Sequence, residues 1–226
     1  MQSAASFEHE IHACTACPRL RKHCLEVART KRRAYEVQTY WGKPVAPFGD
    51  PQARLLVVGL APGAHGANRT GRIFTGDRSG DWLYRALHRA GFANQATSTS
   101  RTDGLALSRA RVTCVVKCAP PDNKPSRQEI HTCIDRFFDR EIASHPEVQV
   151  YIALGRLAWD SIRKQFKTNH RVTFKHGAEQ TLPGGKTLLA SYHPSQQNTF
   201  TGRLTEPMFD SVFERARELL NLLKDI

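Results

Sequence analysis

The run Arg54-Leu55-Leu56-Val57-Val58 stops at Gly59 and opens into Gly59-Leu60-Ala61-Pro62-Gly63, then Asn68-Arg69-Thr70-Gly71-Arg72-Ile73-Phe74-Thr75-Gly76-Asp77. A short unbroken apolar run bounded by glycine is the pattern of a strand buried on both faces. The glycine-rich loop behind it lets backbone approach a ligand closely. Three later segments repeat the scheme. Residues 111–117 are β-branched and lead into Cys118-Ala119-Pro120-Pro121-Asp122-Asn123; residues 148–154 lead into Gly155-Arg156; residues 187–191 lead into His193-Pro194-Ser195.

Helical patterns separate these strands. Trp82, Leu83, Ala86 and Leu87 predict a helix over 79–90 that Gly91 stops. Ser126 and Glu129 form a capping-box pattern, after which Ile130, Cys133, Ile134, Phe137, Phe138 and Ile142 mark one helical face. A helix runs through Trp159 and Ile162, and a last one spans 207–224 with Phe209, Val212, Phe213, Ala216, Leu219, Leu220 and Leu223 inward. Residues 1–25 open with a short helix carrying Cys14 and Cys17. Residues 45–50 read as a connector, 93–108 as a loop, and 175–186 as a loop or hairpin turning at Gly184-Gly185. Strands alternating with helices predict an α/β fold with a parallel sheet covered on both faces. Ligands of such sheets bind beyond the carboxyl ends of the strands, where these loops would meet.

The 226 residues suit one domain spanning 1–226. No run approaches the roughly 20 apolar residues of a membrane span. Residues 1–14 carry no secretory apolar core, so a cytoplasmic protein is expected. A net charge of +12 and a pI of about 9.8 favour a polyanionic partner, and nucleic acid is the commonest in a cell. Arg19, Arg21, Lys22, Arg29, Lys31, Arg32 and Arg33 gather near the N-terminus, but a solvated basic helix face would look the same, so they locate no groove.

Six cysteines in a cytosolic chain argue against a disulfide scaffold. Cys14-x-x-Cys17 is a metal-ligand spacing, and a proline-rich loop can bring Cys118 and Cys133 together. Four thiolates suit zinc or an iron–sulfur cluster, and the spacing does not choose between them. Cys133 and Cys114 also read as small core residues.

Each candidate in the strand-end loops has two readings. Phe74 is a core plug or a stacking platform for a flat heterocycle. Asn123 is a turn residue or a donor and acceptor for a base edge. His193 is structural or a donor to charge developing on a leaving group. Asp77 caps the helix that follows or orients water, a task open also to Asn68 and His65. Residues 196–203 are a plain surface loop, or a loop that enters a groove of nucleic acid, with Phe200 or Leu204 wedging into the gap and Arg203 on a phosphate. Two rival functions remain: a non-catalytic nucleic-acid-binding protein with structural zinc, colourless and releasing no base, and a nucleotide enzyme using the glycine loop as a phosphate cradle.

Taken jointly, Gly59-Leu60-Ala61-Pro62-Gly63-Ala64-His65-Gly66, Asn68-Arg69-Thr70-Gly71-Arg72, Phe74-Thr75-Gly76-Asp77 and His193-Pro194-Ser195-Gln196-Gln197-Asn198 resemble the uracil-DNA glycosylase superfamily, and within it family 5. The resemblance covers the chain from Cys14 to about Leu220. It implies a three-layer α/β/α fold with a central four-stranded parallel sheet, and monofunctional excision of uracil from DNA, with hypoxanthine as a further base; a monomer is expected. It also implies a [4Fe–4S] cluster on Cys14, Cys17, Cys118 and Cys133, against which the N-terminal segment docks. Phe74 would stack on the flipped base, Asn123 read its polar edge, and His193 stabilise its departing oxygen; Gly59, Ala61, Gly63, Asn68 and Ser195 would complete substrate binding. Ala61 stands where other families of the group carry a water-activating Asp or Asn, and Cys114 stands where family 4 carries an Asn, so the water activator is open and base reading falls to Asn123.

Overall fold

The computed structural model describes residues 4–168 and 172–221. Helices α1 (Ala4–His12) and α2 (Pro18–Thr30) precede a two-residue strand, β1 (Phe48–Gly49). Then come β2 (Leu55–Gly59), the short α3 (Ala67–Thr70), α4 (Arg78–Arg89) and β3 (Ala110–Cys114). Helix α5 (Arg127–Cys133) passes through a π-helical turn (Ile134–Phe138) into α6 (Asp139–Ala143). The chain continues with β4 (Val150–Leu154), α7 (Arg156–Gln165), β5 (Glu179–Leu182), β6 (Lys186–Ser191), α8 (Gln196–Phe200) and α9 (Glu206–Leu219).

These strands form one six-stranded mixed sheet in the order β1-β3-β2-β4-β6-β5. Its centre is the expected set of parallel strands, β3, β2, β4 and β6. The expected count of four is too small because an antiparallel strand closes each edge. Neither edge strand carries a buried apolar run. β1 is two residues inside the supposed connector. β5 alternates exposed and buried residues, and the turn at Gly184-Gly185 folds it back on β6, so the hairpin reading of 175–186 is the correct one.

Every residue of β2, β3 and β4 is buried, as parallel strands covered on both faces must be. Alternate positions serve opposite faces: Leu55, Val57, Ala110 and Val112 pack with α4 and α9, while Leu56, Val58, Tyr151 and Ala153 pack with α2, α7 and the α5–α6 segment. The fold is thus α/β with three layers.

Several boundaries differ from the sequence reading. β3 ends at Cys114 rather than 117, yet its line continues, because the Val115 and Val116 amides donate to Gly59 and Leu60 carbonyls. β4 starts at Val150 rather than 148. The Ser126–Glu129 capping box forms as expected, but apolar spacing gave no sign of the π turn after Cys133. α9 ends at Leu219, and Leu223 and Lys224 lie outside the described residues. Among the described residues no helix is long and apolar enough to cross a membrane.

One buried ion pair fastens β3 to the helix layer. Lys117 Nζ lies 2.8 Å from Glu141 Oε2 and donates also to Thr113 Oγ1 and the Cys114 carbonyl. Both side chains are essentially unexposed. Removing one charge strands the other in the core, which typically costs about 3–5 kcal/mol. Glu141→Ala is therefore expected to lose that much in urea denaturation, and Lys117→Met/Glu141→Leu to recover most of it.

Candidate active site

The parallel strands end on one side of the sheet, and the loops after β2, β3 and β6 meet there. They enclose a pocket of about 570 Å³, within the size range of small-molecule sites. Ala61, Gly63, Phe74, Asp77, Asn123, His193 and Ser195 all line it. Residues as far apart in sequence as Leu60 and Gln197 thus share one cleft.

Phe74 owes its place to two backbone facts. Its φ is +49°, a left-handed conformation that bulky residues adopt rarely and at a cost of order 1–3 kcal/mol. Its ring lies against Gly59, where a Cβ would sit 2.7 Å from the ring's Cζ. Only glycine at the end of β2 leaves that space. The ring is 6% exposed, so Phe74 plugs the core with one face and borders the pocket. Gly59 itself lies behind the ring and does not reach the pocket lining.

His193 stands across from Phe74, with ring centroids 5.9 Å apart and planes tilted by 31°. Burial pushes its imidazole down to about 4, so it is neutral at pH 7. Its carbonyl accepts from Asn198 Nδ2 and from the Ser195 amide, which locks the His193-Pro194-Ser195 turn. Ser195 Oγ caps α8 by accepting from the Asn198 amide at 3.4 Å. Asn123 reaches the pocket from a loop in which both Asp122 and Asn123 have positive φ. Its side chain is exposed and makes no hydrogen bond among the described residues.

Asp77 has two positions to fill at once. Oδ1 accepts from the Gly80 amide at 3.0 Å and caps α4. Oδ2 occupies the space a Gly66 side chain would need, 1.8 Å from an ideal Cβ there. Burial makes it a weaker acid, holding its pKa above the ordinary carboxylate value. Asn68 is not brought to the pocket. It is fully buried, and its amide donates to the Cys24 and Ala64 carbonyls. Leu204 is also fully buried and cannot wedge into a base stack, because its side chain completes the core under α9. Phe200, by contrast, is 67% exposed, under the Arg78 guanidinium at 4.5 Å.

One contact at the pocket wall had no sequence signal. His65 lines the pocket, and its Nδ1 lies 2.9 Å from Tyr40 Oη. Tyr40 stands 25 residues earlier in a stretch without pattern, so only the fold brings the pair together.

The cysteines gather elsewhere. Cys14, Cys17, Cys118 and Cys133 line one enclosed apolar pocket between the N-terminal segment and the end of β3. All are free thiols. The Lys117 amide donates to Cys133 Sγ at 3.3 Å, and Arg21 and Arg136 border the same pocket. Burial pushes the Cys133 thiol up to about 11. Among the described residues no three His, Cys, Asp or Glu side chains stand close enough to hold a single metal ion. Cys24 and Cys114 are buried, Cys24 Sγ donating to the Ala119 carbonyl and Cys114 lying behind Phe74 against Gly59.

Because burial alone lowers His193, its imidazole signals in an NMR pH titration are expected to move with a midpoint near 4. The unfolded chain binds this proton near 6.5, so the residue's contribution to stability falls as pH drops from about 6.5 towards 4. A midpoint near 6.5 in the folded protein would contradict that desolvation of the imidazole.

Residues 46–217 match the uracil DNA glycosylase superfamily. The chain is 49% identical over 216 residues to a type-5 uracil-DNA glycosylase of Mycobacterium leprae, covering 94% of each chain. It is 49% identical over 220 residues to the type-5 enzyme of Thermus thermophilus, covering 96% of this chain and 98% of that one. With that of Pyrobaculum aerophilum it shares 43% identity over 210 residues, covering 93% and 90%. With its strand-end loops folded into one pocket and this likeness running almost end to end, the chain belongs to the uracil-DNA glycosylase superfamily.

Proposed function

We propose that the chain is a DNA-repair uracil-DNA glycosylase, a hydrolase of N-glycosyl bonds that extrudes uracil and leaves an abasic site. The observation that carries this reading is the convergence of Phe74, Asn123 and His193, from three separate strand ends, on one pocket. A base hidden in the stack must be turned out to be cut, at a cost of a few kcal/mol. Phosphate contacts from a surface carrying +12 offset that cost.

In the proposed complex Phe74 stacks on the base, and the Asn123 carboxamide, with both donors and an acceptor, reads its polar edge. The C1′–N1 bond breaks with its electron pair going to the base, the sugar becomes oxocarbenium-like, and the oxygen of water bonds to C1′. The water's proton balances the charge on the released base. Neutral His193 donates a hydrogen bond to the base oxygen as negative charge develops there; its lowered basicity supports this role, since it stays a donor without becoming an acid. Ala61 offers the water nothing. Asp77 orients it through Oδ2, while Oδ1 remains tied to Gly80. No lysine among the described residues lines the pocket, which supports a hydrolytic route over a Schiff base. The small apolar Ala61 wall supports tolerance of hypoxanthine as well.

Cys14, Cys17, Cys118 and Cys133 would hold a [4Fe–4S] cluster. Four free thiols around one apolar pocket, with an amide already aimed at Cys133 Sγ, fit that group chemically. The cluster would brace the N-terminal segment against the end of β3. We also propose a monomer, one domain across 1–226, and a cytoplasmic location, in keeping with the thiol-rich composition.

Purified protein incubated with uracil-containing and hypoxanthine-containing duplexes is expected to yield alkali-labile abasic sites, and its visible spectrum to show iron–sulfur absorption. Unbroken uracil duplex would reject the reading, and a colourless zinc-loaded protein would reject the cluster. His193→Ala is expected to slow single-turnover cleavage about 100- to 1000-fold with duplex binding retained. Asp77→Asn separates cap from catalyst: asparagine also caps helices, so the rate should fall while thermal stability holds. Cleavage at the wild-type rate would reduce Asp77 to a cap.

A further inference from the structure

Residues 31–40 cross the surface between α2 and the pocket with little regular structure, only a 3₁₀ turn over Arg33–Tyr35. Yet the segment is held firmly. Buried Arg69 reaches it from α3: its guanidinium lies 3.9 Å from the centre of the Tyr35 ring and donates to Gln38 Oε1 at 2.6 Å. The same guanidinium donates to the His65 and Gly76 carbonyls of the pocket loop. The Trp41 and Gly42 amides donate to the Arg69 and Asn68 carbonyls. Tyr40 closes the attachment on His65, which lines the pocket. The segment is therefore a strap whose position is set by the active-site loop.

What this strap presents outward is unusual. Arg32 and Arg33 are exposed, and among the described residues neither side chain has an ion-pair or hydrogen-bond partner. Lys22 is exposed on neighbouring α2, and the exposed acids nearby are Glu26, already paired with Arg29, and Glu36. Val37, at the outer bend, is 92% exposed. Basic side chains without partners around an exposed apolar tip, fixed to a pocket wall, suit a polyanion with an apolar interior. Another exposed apolar side chain is Phe200 on α8, the helix whose Gln196 and Gln197 line the pocket.

We propose that the strap is a DNA grip: Arg32 and Arg33 bind phosphates of the strand flanking the extruded nucleotide, and Val37 presses against its sugars and bases. This rests on the glycosylase reading, because a nucleotide entering the pocket must bring its neighbouring phosphates past the pocket wall to which the strap is pinned. Nucleic acid, rather than an acidic protein, is the occupant that this continuity favours.

The test uses anisotropy binding of a uracil duplex over a series of salt concentrations, with single-turnover cleavage at saturating enzyme. For Arg32→Ala/Arg33→Ala the slope of log affinity against log salt is expected to fall by about 2, roughly one per lost phosphate contact. Cleavage at saturation should stay within about two-fold of wild type, and Arg32→Lys/Arg33→Lys should restore the slope. Val37→Ser should weaken binding at every salt concentration without changing the slope. An unchanged slope in the double alanine variant, or binding lost equally in the lysine variant, would overturn the grip. Wild-type protein that binds with the full slope but cuts no uracil would instead overturn the glycosylase reading, and with it the flanking-strand placement, leaving Arg32 and Arg33 as phosphate contacts alone.

Discussion

The structure turns on the absence of one side chain. At Gly59 the end of the central strand comes so close to Phe74 that a Cβ would lie within 2.7 Å of the ring. That vacancy lets the ring fold back over the strand end, and the left-handed backbone at Phe74 points it there. From this contact the rest of the pocket follows. With Phe74 seated, the loop returns to put Asp77 at the start of α4 and over Gly66. Across it, β6 delivers His193 to within 5.9 Å of the same ring. A parallel sheet supplies the convergence; the glycine supplies the close fit.

The other face of the sheet carries a different load. Lys117 links three things: its ammonium is neutralised by Glu141 in the core, its carbonyl accepts from the Val45 amide, and its own amide reaches Cys133. The strand that leads to Asn123 is therefore the strand that leads to the cysteine pocket, through Cys118. Anything that rigidifies the four thiols also fixes the loop from which Asn123 enters the active site. The cysteine pocket and the candidate active site thus share one continuous stretch of chain, from Lys117 to Asn123.

Much of this was readable in the residues. Of the four central strands, β2, β4 and β6 were legible as short, largely apolar runs ending in glycine or a polar loop, and β3 by its β-branched residues. The edge strands were not, because two residues of β1 and the half-exposed β5 carry no such signal. Asn68 looked like a pocket residue by its neighbours in the motif, yet one helical turn sends its amide into the core. Leu204 failed for the same reason: nearness in sequence to Phe200 says nothing about which side of the chain faces solvent. Tyr40 and the strap were invisible because their contacts, Tyr40 with His65 and Tyr35 and Gln38 with Arg69, join a patternless stretch to a loop 25 or more residues away.

The most direct test of the account is a crystal structure of His193→Ala bound to a duplex carrying one uracil. The account predicts the base outside the helix, flat against Phe74 with its polar edge at Asn123 and its glycosidic carbon towards Asp77. A base held elsewhere, or a Phe74 ring turned away from it, would contradict the claim that these three strand ends build the recognition site.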